Sequence, residues 1–162
     1  MSAPDIGIRA ARPADAEAIA ALAKQLGYTA EVSAVADRLS RVLPRPDQQF
    51  LVADRDGTAV GWIHMLIVEY VEAEAFVVIG GLVVDRDHRK QGIGRRLLAH
   101  AESWAAQHGC SVVRLSSTVQ RLEAHMFYER AGYTKIKTQY SFAKAVGTAG
   151  PEAVRAFIPD VT

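Results

Sequence analysis

One stretch constrains this chain more than any other: Gly81-Leu82-Val83-Val84-Asp85-Arg86-Asp87-His88-Arg89-Lys90-Gln91-Gly92-Ile93-Gly94-Arg95. A Val-rich run reads as a buried strand, and the apolar spacing that begins at Ile93 reads as a helix. Between them lies a turn with two glycines and several basic residues. A helix start leaves backbone N–H groups without intrahelical partners and carries the positive end of the helix dipole. A turn lacking side chains at Gly92 and Gly94 lets anionic oxygens approach those groups. Arg89, Lys90 and Arg95 add positive charge nearby, so the shape predicts an anion site.

A dinucleotide fingerprint would need a third glycine where Leu97 stands, and a P-loop would need Gly-Lys-Ser/Thr. Both are disfavoured. The bland alternative is that the two glycines only ease a tight strand-to-helix connection. Charge does not settle the matter, because the formal net charge is +1 and no overall field recruits nucleic acid or an anionic membrane.

The rest of the chain supplies a frame for that turn. Asp5 to Ala10 reads as a short strand, Pro13 to Leu26 as an amphipathic helix, and Val32 to Leu43 as a second helix ending before Pro44 and Pro46. Gln49 to Ala53, Ala59 to Val68 and Ala75 to Val84 read as an antiparallel meander. The first connection, Asp54-Arg55-Asp56-Gly57, carries a hairpin signal. Ile93, Leu97, Leu98, Ala101, Trp104 and Ala105 mark a long helix, and Val112 to Ser117 a strand, which makes a βαβ crossover and a mixed sheet. Leu122 to Ala131 reads as helix stopped by Gly132. Tyr133 to Ile136 and Gln139 to Lys144 read as a final hairpin. At 162 residues, 49% hydrophobic, the chain has room for one core. Residues 1–146 form that domain, and 147–162 a tail with a short amphipathic segment, Glu152 to Phe157.

Cys110, the only cysteine, excludes an internal disulfide and fits a buried inert thiol in a reducing cytoplasm. His64, His88, His100, His108 and His125 show no metal-ligand spacing, so no metal is expected. No apolar run reaches the ~18 residues of a membrane helix, and Met1 to Arg12 lacks a signal-peptide core. The expected location is the cytoplasm, with no membrane or nucleic-acid partner. Trp62 and Trp104 have apolar neighbours, and Trp62 is placed to line a substrate pocket.

Further on comes Arg121-Leu122-Glu123-Ala124-His125-Met126-Phe127-Tyr128-Glu129-Arg130-Ala131-Gly132-Tyr133. With the Arg-x-x-Gly-x-Gly turn before it, the chain resembles the GNAT superfamily of acetyl-CoA-dependent N-acetyltransferases. The resemblance covers Phe50 to Tyr133 by motif and the whole chain by element order. It implies an α/β, GNAT-like fold: a mixed, mostly antiparallel central sheet of six to seven strands flanked by about four helices. It implies acetyl-CoA as co-substrate, with the pyrophosphate held by the turn that Arg89 begins, at Lys90, Gln91, Gly92, Ile93, Gly94 and Arg95. Leu82, Val83 and Val84 would pair main chain with the pantetheine amides, and the strand there would splay from its neighbour to admit the thioester.

By the same resemblance Tyr128 is the general acid for the departing thiolate. A phenol of reference pKa about 10 is protonated at neutral pH and can donate to a thiolate of about 8.5. The plain alternative is a core tyrosine packed beside Phe127. The acceptor would be a primary amine of a small molecule or peptide, attacking directly in a ternary complex. Its ammonium must first lose a proton, at a cost of about 4.6 kcal/mol at pH 7. The glutamates that serve relatives are replaced here by Val78 and Ser116, and a frequent asparagine by Arg121. That leaves water, or Glu69, Glu72 or His125, as the proton acceptor. The missing bases also favour a rival reading, a non-catalytic acyl-CoA-binding or sensing module. Family habit and the final hairpin suggest a homodimer.

Overall fold

The computed structural model describes residues 5–160. Two compact units are distinguished, one comprising residues up to Leu115 together with Asp160, the other Ser116–Pro159.

The first unit is built on a sheet whose strands lie in chain order: β1 (Gly7–Ala10), β2 (Gln48–Arg55), β3 (Thr58–Tyr70), β4 (Ala73–Val84) and β5 (Val113–Arg114). The first three pairings are antiparallel and β4 with β5 is parallel, so the sheet is mixed and mostly antiparallel, as the sequence implies. The β2–β3 hairpin closes through Asp56 and Gly57, both at positive φ (53° and 86°), the primed turn an Asp-Gly step favours. The Asp54 carboxylate accepts the Gly57 N–H at 2.8 Å and fixes that turn.

Helix α1 (Ala16–Gln25) follows a single 3-10 turn at Pro13–Asp15. Helix α2 (Val32–Val42) packs with it over one side of the sheet. Ile19, Ala20, Leu22, Val35 and Leu39 meet Phe50, Val52, Trp62 and Val83 from the strands. Strand alternation sends the intervening residues, such as Ile63 and Met65, to the opposite side. The 15-residue helix α3 (Ile93–Gln107) connects β4 to β5 and buries Ile93, Leu97, Leu98, Ala101, Trp104 and Ala105. This spacing of three and four makes one continuous apolar stripe.

The second unit holds α4 (Leu122–Arg130) and α5 (Glu152–Arg155). Gly132, at φ +94°, terminates α4 in the left-handed conformation expected of a helix stop. Three sequence expectations are corrected. The described residues hold five strands and five helices rather than six to seven and about four. The run Val112 to Ser117 pairs only over Val113–Arg114, and the hairpin expected at Tyr133 to Lys144 forms no ladder. Its alternating apolar side chains Ile136, Tyr140 and Phe142 are 70%, 91% and 94% exposed, so no buried face rewards pairing, and an isolated two-stranded ribbon is marginal in water.

One ionic cluster clamps the start of the chain to the sheet. Asp15, 5% exposed, receives both guanidinium N–H groups of Arg9 at 2.8 Å and the Arg12 N–H at 2.7 Å, while Arg9 Nε reaches Asp54 at 2.6 Å. The Arg9 hydrogen bond, against the opposing effect of burial, holds the Asp15 carboxyl below its ordinary value. Asp15→Asn should therefore cost about 3 kcal/mol at pH 7, the low end for breaking a buried pair, or roughly 6–12 °C in Tm for a chain of this size. The folded pKa is depressed, so this stabilisation is complete above the unfolded value of about 3.9 and is lost as pH falls through the folded value. Thermal melts of the two proteins should converge as the pH drops below about 4.

Candidate active site

The strand-to-helix connection is held from both ends. Asp85 continues β4 by donating its N–H to the Val60 carbonyl at 2.8 Å. Its carboxylate receives Gln25 Nε2, from the last turn of α1, and His88 Nδ1, each at 2.8 Å. Gln25 Oε1 in turn accepts the Arg86 N–H at 3.0 Å. The Gln25 and His88 hydrogen bonds hold the Asp85 carboxyl below its ordinary value, against the effect of burial. Arg89 folds back to donate Nε–H to the Val84 carbonyl at 3.1 Å. This bracing, which spans some sixty residues of sequence between Gln25 and Asp85, has no local signature and was not legible beforehand.

Past Arg89 the backbone turns left-handed twice, at Lys90 (φ 61°) and Gly92 (φ 79°). Lys90 is a non-glycine residue in that region, a conformation that costs free energy and clusters at ligand-binding turns. Gly92 caps α3, with no side chain hydrogen-bonded to the helix start and no acidic residue in the first turn. The first helical bond is Arg96 N–H to the Gly92 carbonyl at 3.1 Å, so the amides of Ile93 and Gly94 lie ahead of the ladder. Arg89, Lys90, Gln91, Gly92 and Arg95 are exposed, Gly94 half-buried, and Ile93 anchors the turn in the core.

β4 changes character along its length. It pairs with β3 from Ala73 to Val84, but with β5 only at Val77 and Val78. Among the described residues, Ile79 to Val84 have no strand partner on the β5 side. This is the stretch containing Leu82, Val83 and Val84, of which Val83 is buried in the α1–α2 core and the other two are half-buried. Opposite it, the β3–β4 register slips: His64 faces Gly81 and Met65 faces Ile79, which leaves Gly80 as the extra residue of a bulge.

Around the bulge lies a group of side chains that sequence reading underweighted. Trp62, Phe50 and His64 stack along one side of the sheet, with Phe50 ring centroids 5.1 Å from Trp62 and 5.3 Å from His64. Trp62 Nε1 is sealed from solvent without a hydrogen-bond partner. His64 Nε2 lies 2.8 Å from Gln48 Oε1. The signal was available in principle, because Trp62 and His64 stand two apart on one strand and so share a face. Their cross-strand partners required the register.

In the second unit Tyr128 is half-buried on α4, its ring 5.2 Å from Phe127 and 6.0 Å from Tyr133. Burial pushes the phenol up from its ordinary value, and the Arg121 charge offsets part of that shift. Of the proton acceptors considered from sequence, His125 Nε2 is occupied by the Thr118 carbonyl at 2.8 Å, and Glu69 and Glu72 are exposed near the β3–β4 turn. Cys110 is buried. No helix among the described residues is long and apolar enough to cross a membrane.

The Acetyltransferase (GNAT) family profile matches residues 15–133. The chain belongs to that family. It is 32% identical over 145 residues to an aminoalkylphosphonate N-acetyltransferase of Salmonella typhimurium, covering 88% of this chain and 93% of the relative. Identity is 31% over 137 residues, with 82% and 87% coverage, to an aminoglycoside N(6')-acetyltransferase type 1 of Stenotrophomonas maltophilia. Among solved structures, a putative acetyltransferase from Agrobacterium tumefaciens superimposes with a TM-score of 0.76 at 26% identity, covering 86% of this chain and all of that one. The fold is shared as well by AAC(6')-Iy, solved with a CoA-based bisubstrate analogue, at a TM-score of 0.77 and 20% identity over 88% and 99% of the two chains. The GNAT chain described here is thus an N-acetyltransferase of the acyl-CoA-dependent class.

In the GNAT sheet a side chain at Gly81 forces Trp62 to move: a Cβ there would stand 2.7 and 2.8 Å from its six-membered ring. Gly81→Ala should displace the indole, costing about 1–3 kcal/mol as an overpacking change and altering Trp fluorescence. Gly7→Ala, whose Cβ meets nothing within 4 Å, serves as the near-silent control.

Proposed function

We propose that the protein transfers the acetyl group of acetyl-CoA to a primary amine of a small molecule or peptide, by direct attack in a ternary complex. The observation that carries this reading is the left-handed turn into α3, placed immediately after the part of β4 that has lost its β5 partner. A cofactor with a diphosphate at one end of an amide-bearing arm matches that succession. The diphosphate meets the turn from Arg89 to Arg95, where helix-start amides and the dipole favour negative charge. The pantetheine amides pair with the β4 main chain at Leu82 to Val84, since a polar arm laid against a strand needs its hydrogen bonds made.

The chain's own contributions follow. Main-chain N–H groups near the β4 bulge polarise the thioester carbonyl as negative charge develops on its oxygen. Holding donor and acceptor together replaces a bimolecular encounter with an oriented one. Tyr128 donates its phenolic proton to the sulfur as the C–S bond breaks, and a phenol whose pKa lies above its ordinary value is fully protonated for that role at neutral pH. The named substrates of the relatives, aminoalkylphosphonates and aminoglycosides, make compact polar amines the first acceptors to try.

Thermal unfolding with acetyl-CoA, against ATP and NAD, tests the donor. At a hundredfold excess over Kd the stabilisation is ~2.7 kcal/mol, a rise of roughly 5–11 °C in Tm. A rise with acetyl-CoA alone is expected, and none would refute the assignment of the turn. Acceptors are tested by release of free thiol from acetyl-CoA with aminoethylphosphonate, neamine or a short peptide. Tyr128→Phe should lower turnover about 10²-fold or more and leave the acetyl-CoA thermal shift in place. Undiminished turnover would remove Tyr128 from the mechanism.

A further inference from the structure

The reading above assigns no residue to the ammonium proton of the acceptor: the family resemblance puts Val78 and Ser116 where relatives carry glutamates, His125 is engaged with a backbone carbonyl, and Glu69 and Glu72 lie exposed near the β3–β4 turn. The β3–β4 bulge supplies one. His64 projects from β3 at the point where the register slips, beside the unpaired Gly80. Its Nε2 lies 2.8 Å from Gln48 Oε1, and an amide oxygen can only accept, so Nε2 carries the hydrogen. The neutral ring then has its lone pair on Nδ1. Among the described residues that atom takes no hydrogen bond, yet it is not one of the sealed unpartnered side-chain atoms there, Trp62 Nε1 and Ser117 Oγ.

Glycine at position 80 keeps the space beside Nδ1 open. A Cβ built on Gly80 would press on Leu66 Cδ1 at 3.0 Å and lie in van der Waals contact with Nδ1 at 3.6 Å, so a side chain there would cover the open side of that nitrogen. The partners that face the ring are Gln48 and Phe50 on β2 and Gly80 and Gly81 on β4, none of them charged. Nothing in this surround favours an imidazolium, and burial lowers the His64 pKa. The ring is a neutral base with one nitrogen fixed and the other beside Gly80, in the stretch of β4 that has no β5 partner.

We propose that His64 accepts, through Nδ1, the proton that the acceptor ammonium must lose before it attacks the thioester, with Gln48 as the positioning residue that fixes the tautomer. The inference rests on the amine-acetylation reading. In the step, one N–H bond of the ammonium breaks and its proton passes to Nδ1. The freed lone pair forms the C–N bond and the C–S bond breaks. The second proton lost by nitrogen balances the one taken up by the departing sulfur. The imidazolium then returns its proton to solvent, giving amide, CoA thiol and one proton overall.

The test compares wild type with His64→Gln and Gln48→Leu, using acetyl-CoA as donor and aminoethylphosphonate or neamine as acceptor. His64→Gln should lose about 10²-fold or more in kcat/KM, the scale of a lost general base, while the acetyl-CoA thermal shift stays at the wild-type value. The wild-type profile should fall on the acid side through a pKa below the ordinary histidine value of about 6.5, and the variant should lack that limb. Nitrogen-15 NMR of the full chain reads the ring directly. At pH 7 the wild type should show His64 protonated on Nε2 and bare on Nδ1, and Gln48→Leu should relax that preference. Full activity in His64→Gln, or a proton on Nδ1 at pH 7, would overturn the proposal while leaving acetylation intact. A wild type that binds acetyl-CoA but acetylates neither amine would sink the small-amine reading, and this inference with it.

Discussion

A β-strand has two edges, and an edge committed to a neighbouring strand cannot also hydrogen-bond a ligand. Everything notable in this chain depends on how β4 divides that resource. Its β3 edge is paired from Ala73 to Val84 apart from the bulge at Gly80 and a second slip near the turn, which holds it in place, whereas its other edge meets β5 over two residues and then runs on without a strand partner. A strand held on one side only can still be straight and well placed. The load falls on β3 and on the residues packed against it, including Ile63, Met65 and Val52, all sealed in the interior.

The bulge at Gly80 follows from the same division. A slip of one residue in an antiparallel pair locally disrupts the ladder and redirects a side chain, and here it brings His64 up to a glycine at the point where the strand's other edge has been released. Gly80 and Gly81 do different jobs. The first leaves room for the Leu66 side chain beside the imidazole, and the second allows an indole to lie against the strand. The pair would look like one flexible spot to a reader of sequence, yet each is set by a particular neighbour, Leu66 for the first and Trp62 for the second.

Legibility tracked the range of the interactions. The helices α1 to α3 and the meander of β2 to β4 were readable because periodicity and the Asp56-Gly57 turn are local, and the turn from Arg89 to Gly94 was readable because its shape is written in consecutive residues. The Gln25–Asp85–His88 brace, the Arg9–Asp15–Asp54 cluster and the Gln48–His64 pair were not, since each joins residues whose meeting depends on register or on helix docking. The hairpin expected at Tyr133 to Lys144 shows the opposite error. Alternation of Ile136, Tyr140 and Phe142 is compatible with a strand, but a strand also needs a surface to cover, and these side chains are exposed. The family resemblance drew attention to Tyr128 and the glycine turn and passed over His64, because that residue belongs to this chain's own register rather than to the shared motif.

The strand order, identical to the order along the chain, has a bearing on how the molecule is assembled. Three of the four pairings join consecutive strands running in opposite directions, and β2–β3 and β3–β4 close through short turns; such contacts are inexpensive in chain entropy. Only β4–β5 is parallel, and a parallel pair cannot be closed by a hairpin, so the chain must travel through a helix before it returns. The start of that helix is the turn at Lys90 to Gly94, and the shortness of the returning strand is what leaves β4 unpaired beyond Val78. The feature that makes the sheet hardest to finish is thus the one that equips it to receive a ligand, while the meander that supports it can form without waiting for the crossover.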